Sequence, residues 1–476
     1  MPWKSRWQVD IPTCSLPTYL FQTPTVDLSD KPLLIDAARP EYALSHASYR
    51  LWSQRLATGL KEHGFQPGDR LLLFSGNTLF FPVVLMGTIM AGGVFTGANP
   101  GYVARELAYQ IKDSGAKVLI AAEGSLDVAL EAAKEANFPL ESVYSFDNGY
   151  ATLSGQSPGS QGIQRWSTLL ASPITASTFA WPTYATFADM QTTAVLNYSS
   201  GTTGVPKGVE ITHMNYISNC LQTEYVSSLG VDSAARIARA RGLSMLPMYH
   251  AYGQTLHCIS FPLMGVPVYI MQKYDFIAML EYVQKYRITV LTLVPPIVVA
   301  MAKRPETRQY DLSSVEDVGS GAAPLGREAS QEFEALWPTN KVNCKQGWGM
   351  TELTCTACGT EPDAVVTDTS VGELNPNLEA MIVNNEEEEV QIGERGEFWV
   401  RGPNVMKGYW GRPEETRETK TVEGWLKTGD IVYRNEKGMI YVVDRKKVGS
   451  MESGRWETCL LTYRPGRNSS RSKATK

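Results

Sequence analysis

The stretch Thr193-Ala-Val-Leu-Asn-Tyr198-Ser-Ser-Gly-Thr-Thr-Gly-Val-Pro-Lys207-Gly208 places an apolar, strand-like run directly before a loop of glycines, hydroxyls and one lysine. Gly201, Gly204 and Gly208 let main-chain N–H groups come close to an anion. The hydroxyls of Ser199, Ser200, Thr202 and Thr203 can donate, and Lys207 supplies charge. The spacing is not that of a Walker loop, because Gly208 follows the lysine where a Ser or Thr would bind the metal. Read alone, the segment suits a phosphate-facing loop and a plain Ser/Thr/Gly surface loop about equally.

On either side of this loop the pattern alternates strand and helix. Residues 44–64 carry leucines near helical spacing and end at Gly64; Arg70-Leu-Leu-Leu-Phe74 then reads as a buried strand. A helix follows from Asn77, another covers Glu106–Ser114, a strand covers Lys117–Ala121, and a further helix lies around Leu126–Ala136. After the loop, Tyr216–Leu229 reads as helix, Gly242–Pro247 as strand, Asp275 as the cap of a helix through Tyr286, and Ile288–Leu293 as strand. Past residue 370 short β-like runs dominate: Ala380–Val383, Gly396–Arg401 and Met439–Val443. The expectation is an α/β protein with two stacked α/β layers, mainly parallel sheets and a small β-rich subdomain. The expected divisions are 1–190, 191–370 with the phosphate loop and acyl pocket, 371–443, a hinge at 444–447, and a disordered tail over 448–476.

With 476 residues, 43% hydrophobic and 20% charged, the chain has the composition of an ordinary globular enzyme with two or three domains. A net charge of −5 argues against a nucleic-acid surface and points to small-molecule partners. Seven scattered cysteines suit free thiols in a reducing, cytoplasmic setting, and Cys355-Thr-Ala-Cys358 reads as two core thiols. No secretory h-region opens the chain, and the apolar run Phe80–Phe95 is interrupted and too short to span a bilayer, so it reads as a buried helix. Glu386–Glu389 reads as a solvated acidic turn.

Six segments, in order along the chain, together resemble the adenylate-forming superfamily. They are Tyr198–Gly208, Leu246-Pro-Met-Tyr-His-Ala-Tyr252, Gly319-Ser-Gly-Ala-Ala-Pro-Leu325, Gln346-Gly-Trp-Gly-Met-Thr-Glu352, Gly424-Trp-Leu-Lys-Thr-Gly-Asp430 and Tyr441-Val-Val-Asp-Arg-Lys-Lys447. Within it they look most like 4-coumarate:CoA ligases and related acyl-CoA synthetases. The resemblance implies ATP, Mg²⁺ and CoA as cofactors and cosubstrate, a carboxylic acid as substrate, and a monomeric enzyme. It implies that Ser199, Ser200, Gly201, Thr202, Thr203, Gly204 and Lys207 clamp the β- and γ-phosphates. Thr351 would contact the adenylate phosphate and Glu352 would hold Mg²⁺, in keeping with a hard cation's preference for carboxylate oxygen. Gly321, Ala322, Ala323, Gln346, Gly347, Trp348, Gly349 and Met350 would line the nucleotide. Asp430 would accept from the ribose hydroxyls with Arg445 as its partner. His250 would gate an acyl pocket walled by Tyr252, Leu256, Gly319, Gly347 and Gly349. Taken singly, each segment also has a bland reading, as a packing turn, a core histidine or an ordinary turn aspartate.

No Ser/His/Asp set is evident, and the resemblance implies an acyl-AMP intermediate and not an acyl-enzyme. After Lys447 the sequence departs from the family pattern, which continues into a mobile C-terminal domain bearing a catalytic lysine. Residues 448–476 are rich in Ser, Gly and Arg, and the expectation is slow adenylation with little transfer to CoA. Aryl and medium-chain acids both remain open. Carrier-protein loading, a luciferase-like role and a non-catalytic nucleotide- or acid-binding protein are the competing expectations.

Overall fold

Arg70–Phe74 is apolar on both faces, and a strand of that kind is stable only where both faces are covered. In the computed structural model, which describes residues 2–22, 28–147, 149, 152–153, 162–199, 205–338 and 342–446, it lies inside a seven-stranded sheet. The spatial order is Gly408–Tyr409, Lys207–Thr212, Thr193–Ser199, Val94–Ala98, Arg70–Phe74, Val118–Ala122 and Val143–Phe146. The last five are parallel; Lys207–Thr212 and Gly408–Tyr409 add on antiparallel at one edge. A second seven-stranded sheet runs Cys344–Gln346, Asp317–Ser320, Val290–Leu293, Gly242–Ser244, Val268–Ile270, Pro32–Asp36 and Ala43–Ser45, parallel except for the last strand. A five-stranded antiparallel sheet holds Trp3–Lys4, Glu379–Val383, Gly396–Arg401, Leu426–Arg434 and Ile440–Arg445.

Helices fill the space between these sheets. His46–Glu62 starts at a capping box in which Ser45 and Ser48 satisfy each other's backbone N–H groups. Phe81–Met90 is apolar on every side and buried on every side, as such a helix must be. It crosses His46–Glu62 at Gly87, where a Cβ would come within 2.9 Å of Leu56 and of the Ser53 carbonyl. Among the described residues no helix is long and apolar enough to cross a membrane. Asp275 caps Phe276–Tyr286 by accepting from the Ala278 N–H at 2.9 Å. One apolar core joins residues of all three sheets, including Leu34, Leu71, Leu73, Val268, Ala380, Ile382 and Phe398.

The sheets do not divide where the sequence suggested. Thr193–Ser199 and Lys207–Thr212 lie beyond residue 190 yet extend the first sheet, while Pro32–Asp36 and Ala43–Ser45 belong to the second. The reason is that buried parallel strands share one composition, so neighbours in sequence need not be neighbours in a sheet. The β-rich sheet also takes Trp3–Lys4 from the N-terminus and gives up Gly408–Tyr409 to the first sheet. Asp444 and Arg445, expected in a hinge, are the last two positions of a strand and pair with Ile431 and Asp430. Lys447 and the tail 448–476 lie outside the described residues, as does most of Asp147–Gln164.

Candidate active site

Parallel strands point their carboxyl ends to one side, and the crevice beyond those ends is where α/β proteins place ligands. Thr193–Ser199 ends at Ser199, Asp317–Ser320 leads into Gly321, and Cys344–Gln346 leads into Gly347. Ser200, Gly201, Thr202, Thr203 and Gly204 of the expected phosphate loop lie outside the described residues, but the residues on both sides of the loop are fixed.

Ser199 Oγ donates to Glu352 Oε1 at 3.3 Å, and Tyr409 Oη donates to the same oxygen at 2.9 Å. Burial and the adjacent Glu352 carboxylate push the Tyr409 phenol well above its ordinary pKa, so it stays protonated and donates. Lys207, with its side chain almost fully buried, pairs its ammonium with Glu415 and lies 5.0 Å from the centre of the Tyr409 ring. Tyr409 therefore joins Lys207 and Glu352, residues 145 positions apart, in one set of contacts. Glu352 lies in the short turn Thr351–Leu353 and is buried, while Thr351 is half-buried beside it. Its backbone carbonyl accepts from the Met406 N–H at 2.8 Å. Asn404 donates to the Leu353 carbonyl at 3.0 Å and accepts from the Thr354 hydroxyl at 2.8 Å through its backbone oxygen. These bonds hold Thr354 at φ 68°, a strained value for a β-branched residue.

Gly349 has no alternative: a Cβ there would stand 1.8 Å from the Cys355 carbonyl oxygen. Trp348 packs against Phe398 at 4.9 Å and donates its Nε1–H to Asp430 Oδ2 at 2.9 Å. Arg445 Nε lies 3.6 Å from Asp430 Oδ1. Burial raises the Asp430 pKa, and Arg445 and the Trp348 hydrogen bond offset part of that rise. Both ends of the Gln346 amide are committed to the Leu325 backbone, at 2.8 and 3.0 Å, which braces the turn Gly321–Leu325. In that turn Ala322 has φ 70° and is exposed, and Ala323 is half-buried. Gly347 donates its N–H to the Ser320 carbonyl at 3.0 Å, and Met350 is half-buried.

Among the residues expected around an acyl group, the Tyr252 ring lies against Gly321, 3.4 Å from where a Cβ would be, and its hydroxyl approaches Gly319. Leu256 is half-buried on the π-helical segment Gln254–Ser260, a rare geometry that recurs at functional sites. His250 caps this run by accepting from the Tyr252 N–H at Nδ1 over 3.3 Å. Its ring is exposed to the crevice, yet the protein around it withholds enough water to lower its pKa. His250 is therefore neutral near pH 7. Below it, Asn197, Tyr216 and Gln254 form a buried network, with the Asn197 amide donating to Gln254 Oε1 at 3.1 Å and Tyr216 Oη donating to the same oxygen. Two surface clefts, one beside Arg39, Lys273 and Tyr282 and one beside Arg50, Phe179 and Trp181, contain none of these residues.

Tyr409, Glu415, Asn197, Tyr216 and Gln254 were not legible as site residues. Only Lys-Gly-Tyr-Trp410, a glycine and aromatics before Pro413, hinted at a packed edge. Among the described residues no three His, Cys, Asp or Glu side chains are grouped to hold a metal alone. A single buried carboxylate, Glu352, in contact with Ser199 at the start of the expected phosphate loop still fits magnesium, which keeps waters and shares its ligands with phosphate. Cys355 and Cys358 are buried free thiols, as are Cys220, Cys258 and Cys344.

Residues 22–410 match the AMP-binding enzyme family. The chain is 33% identical over 440 residues to the 4-coumarate–CoA ligase 1 of Petroselinum crispum, covering 91% of this chain and 76% of the relative. It is 31% identical to a phenylacetyl-CoA ligase of Aspergillus niger, covering 94% and 81%. Among solved structures it resembles the ATP-bound MatB of Rhodopseudomonas palustris, with TM-score 0.73, 26% identity, and 90% and 78% of the two chains covered. It shares its fold with a long-chain-fatty-acid-CoA ligase of Archaeoglobus fulgidus, with TM-score 0.79, 20% identity, and 94% and 87% covered. The family match over residues 22–410 and the relatives at 31–33% identity over more than nine-tenths of the chain lead to one statement: this chain belongs to the AMP-binding enzyme family of adenylate-forming ligases.

Proposed function

We propose that this chain activates a carboxylic acid with ATP and passes the acyl group to coenzyme A, with aryl and medium-chain acids as the candidate substrates. A carboxylate oxygen attacks the α-phosphorus of ATP and pyrophosphate leaves; the CoA sulfur then attacks the acyl carbonyl, AMP leaves and the thiol proton goes to solvent. The carrying observation is the contact set Ser199–Glu352–Tyr409–Lys207, joined through the segment Trp348–Glu352 to Asp430. The set links a cation, a carboxylate and a buried acceptor, which supports the reading because bringing an anionic acid to a polyanion requires such groups.

In this reading Lys207 and the loop Ser199–Gly204 hold the β- and γ-phosphates, and Thr351 contacts the α-phosphate. Glu352 would hold a magnesium ion, which neutralises charge on the phosphates. Asp430 accepts from the ribose hydroxyls, and Arg445 keeps it oriented. Gly321, Ala322, Ala323 and the Gln346–Met350 segment form the walls along the nucleotide. His250, neutral and held by its own turn, stands between nucleotide and acid, with Tyr252, Leu256, Gly319, Gly347 and Gly349 around the acyl group. Relatives named as CoA ligases of aromatic acids support the acid class.

Pyrophosphate release measured across a panel of aryl and medium-chain acids, with and without CoA, tests this. Acid-dependent release is the expected result, and the amount of thioester formed on adding CoA decides whether the slow transfer expected from residues 448–476 holds. ATP binding with no acid-dependent release would instead establish a binding protein without turnover.

A further inference from the structure

A lysine ammonium withdrawn from water with its stem costs free energy unless an anion pairs with it. For Lys207 that partner is Glu415, on the short helix Pro413–Thr419. The other oxygen of Glu415 takes Arg412 at 3.2 Å. Arg412 also reaches Asp113 at 2.8 Å and the Tyr109 hydroxyl at 2.7 Å, and Asp113 accepts from Tyr198 Oη at 2.7 Å. Two cations and two carboxylates thus balance each other at the foot of the phosphate loop. The lysine that the reaction needs for phosphate is already occupied.

We propose that Glu415 is a built-in competitor of the nucleotide: it pairs with Lys207 and must surrender it to the polyphosphate, which makes Glu415 a determinant of nucleotide affinity. This rests on the assignment of Lys207 to the phosphates made above. Arg412 makes the exchange feasible, because Glu415 keeps one cation when Lys207 turns away. The lysine in turn is never left bare, since carboxylate and phosphate alternate on it. When Lys207 has turned to phosphate, Arg412 is left with both Glu415 and Asp113, one cation against two carboxylates beside a polyanion. That surplus negative charge opposes binding and helps pyrophosphate depart. Glu415 is ionised for this role, since the hydrogen bond from Lys207, and then that from Arg412, holds its pKa below the usual carboxylate value.

The test compares Glu415→Gln with Glu414→Gln. Glu414 sits on the same helix, is largely exposed and pairs at 3.7 Å with Arg417, away from Lys207. Both variants make the same change in net charge. Affinities for MgATP and for inorganic tripolyphosphate are measured by calorimetry on the full chain without acid. Glu415→Gln is expected to bind both about tenfold more tightly at low salt, with the gain shrinking as salt is added. Glu414→Gln is expected to stay within about twofold of the parent. Unchanged or weaker binding by Glu415→Gln, or an equal gain in both variants, overturns the proposal. A gain for tripolyphosphate with no binding of MgATP by any form would sustain the role of Glu415 and sink the functional reading instead.

Discussion

The two flanks of the crevice are built on opposite electrostatic plans. On the proposed phosphate flank Lys207 pairs with Glu415, Arg412 pairs with Glu415 and Asp113, and Glu352 accepts from Tyr409 and Ser199. On the acid flank the polar groups are neutral: His250 has a lowered pKa, Tyr252 a raised one, and His257 lies fully buried between Ser244 and Thr292 at 3.0 Å from each. Under the proposed function a polyanion would meet a lysine that is already paired and can be exchanged, and a carboxylic acid would meet groups that add no charge to bury.

The contrast breaks most visibly at Glu352. Glu352→Gln keeps an acceptor for Tyr409 and removes the charge, and acid-dependent pyrophosphate release should fall by ~10²–10³, as expected for losing a preorganised group at developing charge. Excess magnesium should recover little of it. A loss under threefold would mean that the phosphate flank does not depend on this carboxylate. The acid flank gives the next effect, read as stability and not as rate. Burial lowers the His257 pKa to about 3 from an ordinary 6.5, so the folded protein keeps it neutral while the unfolded chain protonates it. Below pH 6.5 the unfolded state therefore binds more protons, and stability is lost progressively down to about pH 3. On going from pH 7 to pH 5 this one group should cost about 2 kcal/mol. Urea unfolding at the two pH values should show the parent losing that much more than His257→Gln; parallel losses would show that His257 is not the source.

A smaller effect probes the seam between the flanks. Tyr409→Phe leaves the ring near Lys207 and removes the 2.9 Å hydrogen bond to Glu352. Turnover should drop about tenfold with the thermal midpoint nearly unchanged, since a hydrogen bond to a charged group contributes about 1.5–3 kcal/mol and Ser199 still donates to the same oxygen. Equal falls in turnover and midpoint would make Tyr409 a packing residue only.

These flanks were not equally legible in the sequence. The acid flank is local: His250, Tyr252 and Leu256 fall within seven residues, and a single segment carries the cap, the ring and the pocket wall. The strands Arg70–Phe74 and Gly396–Arg401 and the Asp275 cap were readable because their signals lie in adjacent residues. The phosphate flank is assembled from afar. Glu415 meets Lys207 across 208 positions only because Gly408–Tyr409 pairs with Val209–Glu210 at the sheet edge. Nothing in Pro-Glu-Glu-Thr416 says which of its two carboxylates will find a buried lysine. The same limit explains the misplaced division at residue 190, since Leu33-Leu-Ile35 and Leu71-Leu-Leu73 are interchangeable as buried strands until their neighbours are known. The π-helical geometry of Gln254–Ser260 likewise has no sequence signature.

Trp348 sharpens the comparison at its finest grain, because it belongs to neither flank and touches what both share. Its indole donates to Asp430 at 2.9 Å while its ring packs on Phe398 at 4.9 Å. Trp348→Phe keeps the packing and deletes the donor. Burial already raises the Asp430 pKa, and the indole hydrogen bond is one of two things holding it down, so the variant should titrate higher still. If Asp430 grips the ribose as a carboxylate, KM for ATP should rise about fivefold near pH 8, or about 1 kcal/mol, the net worth of one typical hydrogen bond, because Arg445 still stands beside the carboxylate. The gap should widen as pH falls, because the variant takes up its proton at a higher pH than the parent. kcat at saturating ATP should change little, because the lost bond acts in binding and not at the reacting phosphorus. A fall in kcat with KM unchanged would instead place Trp348 beside the acyl group and return it to the neutral flank.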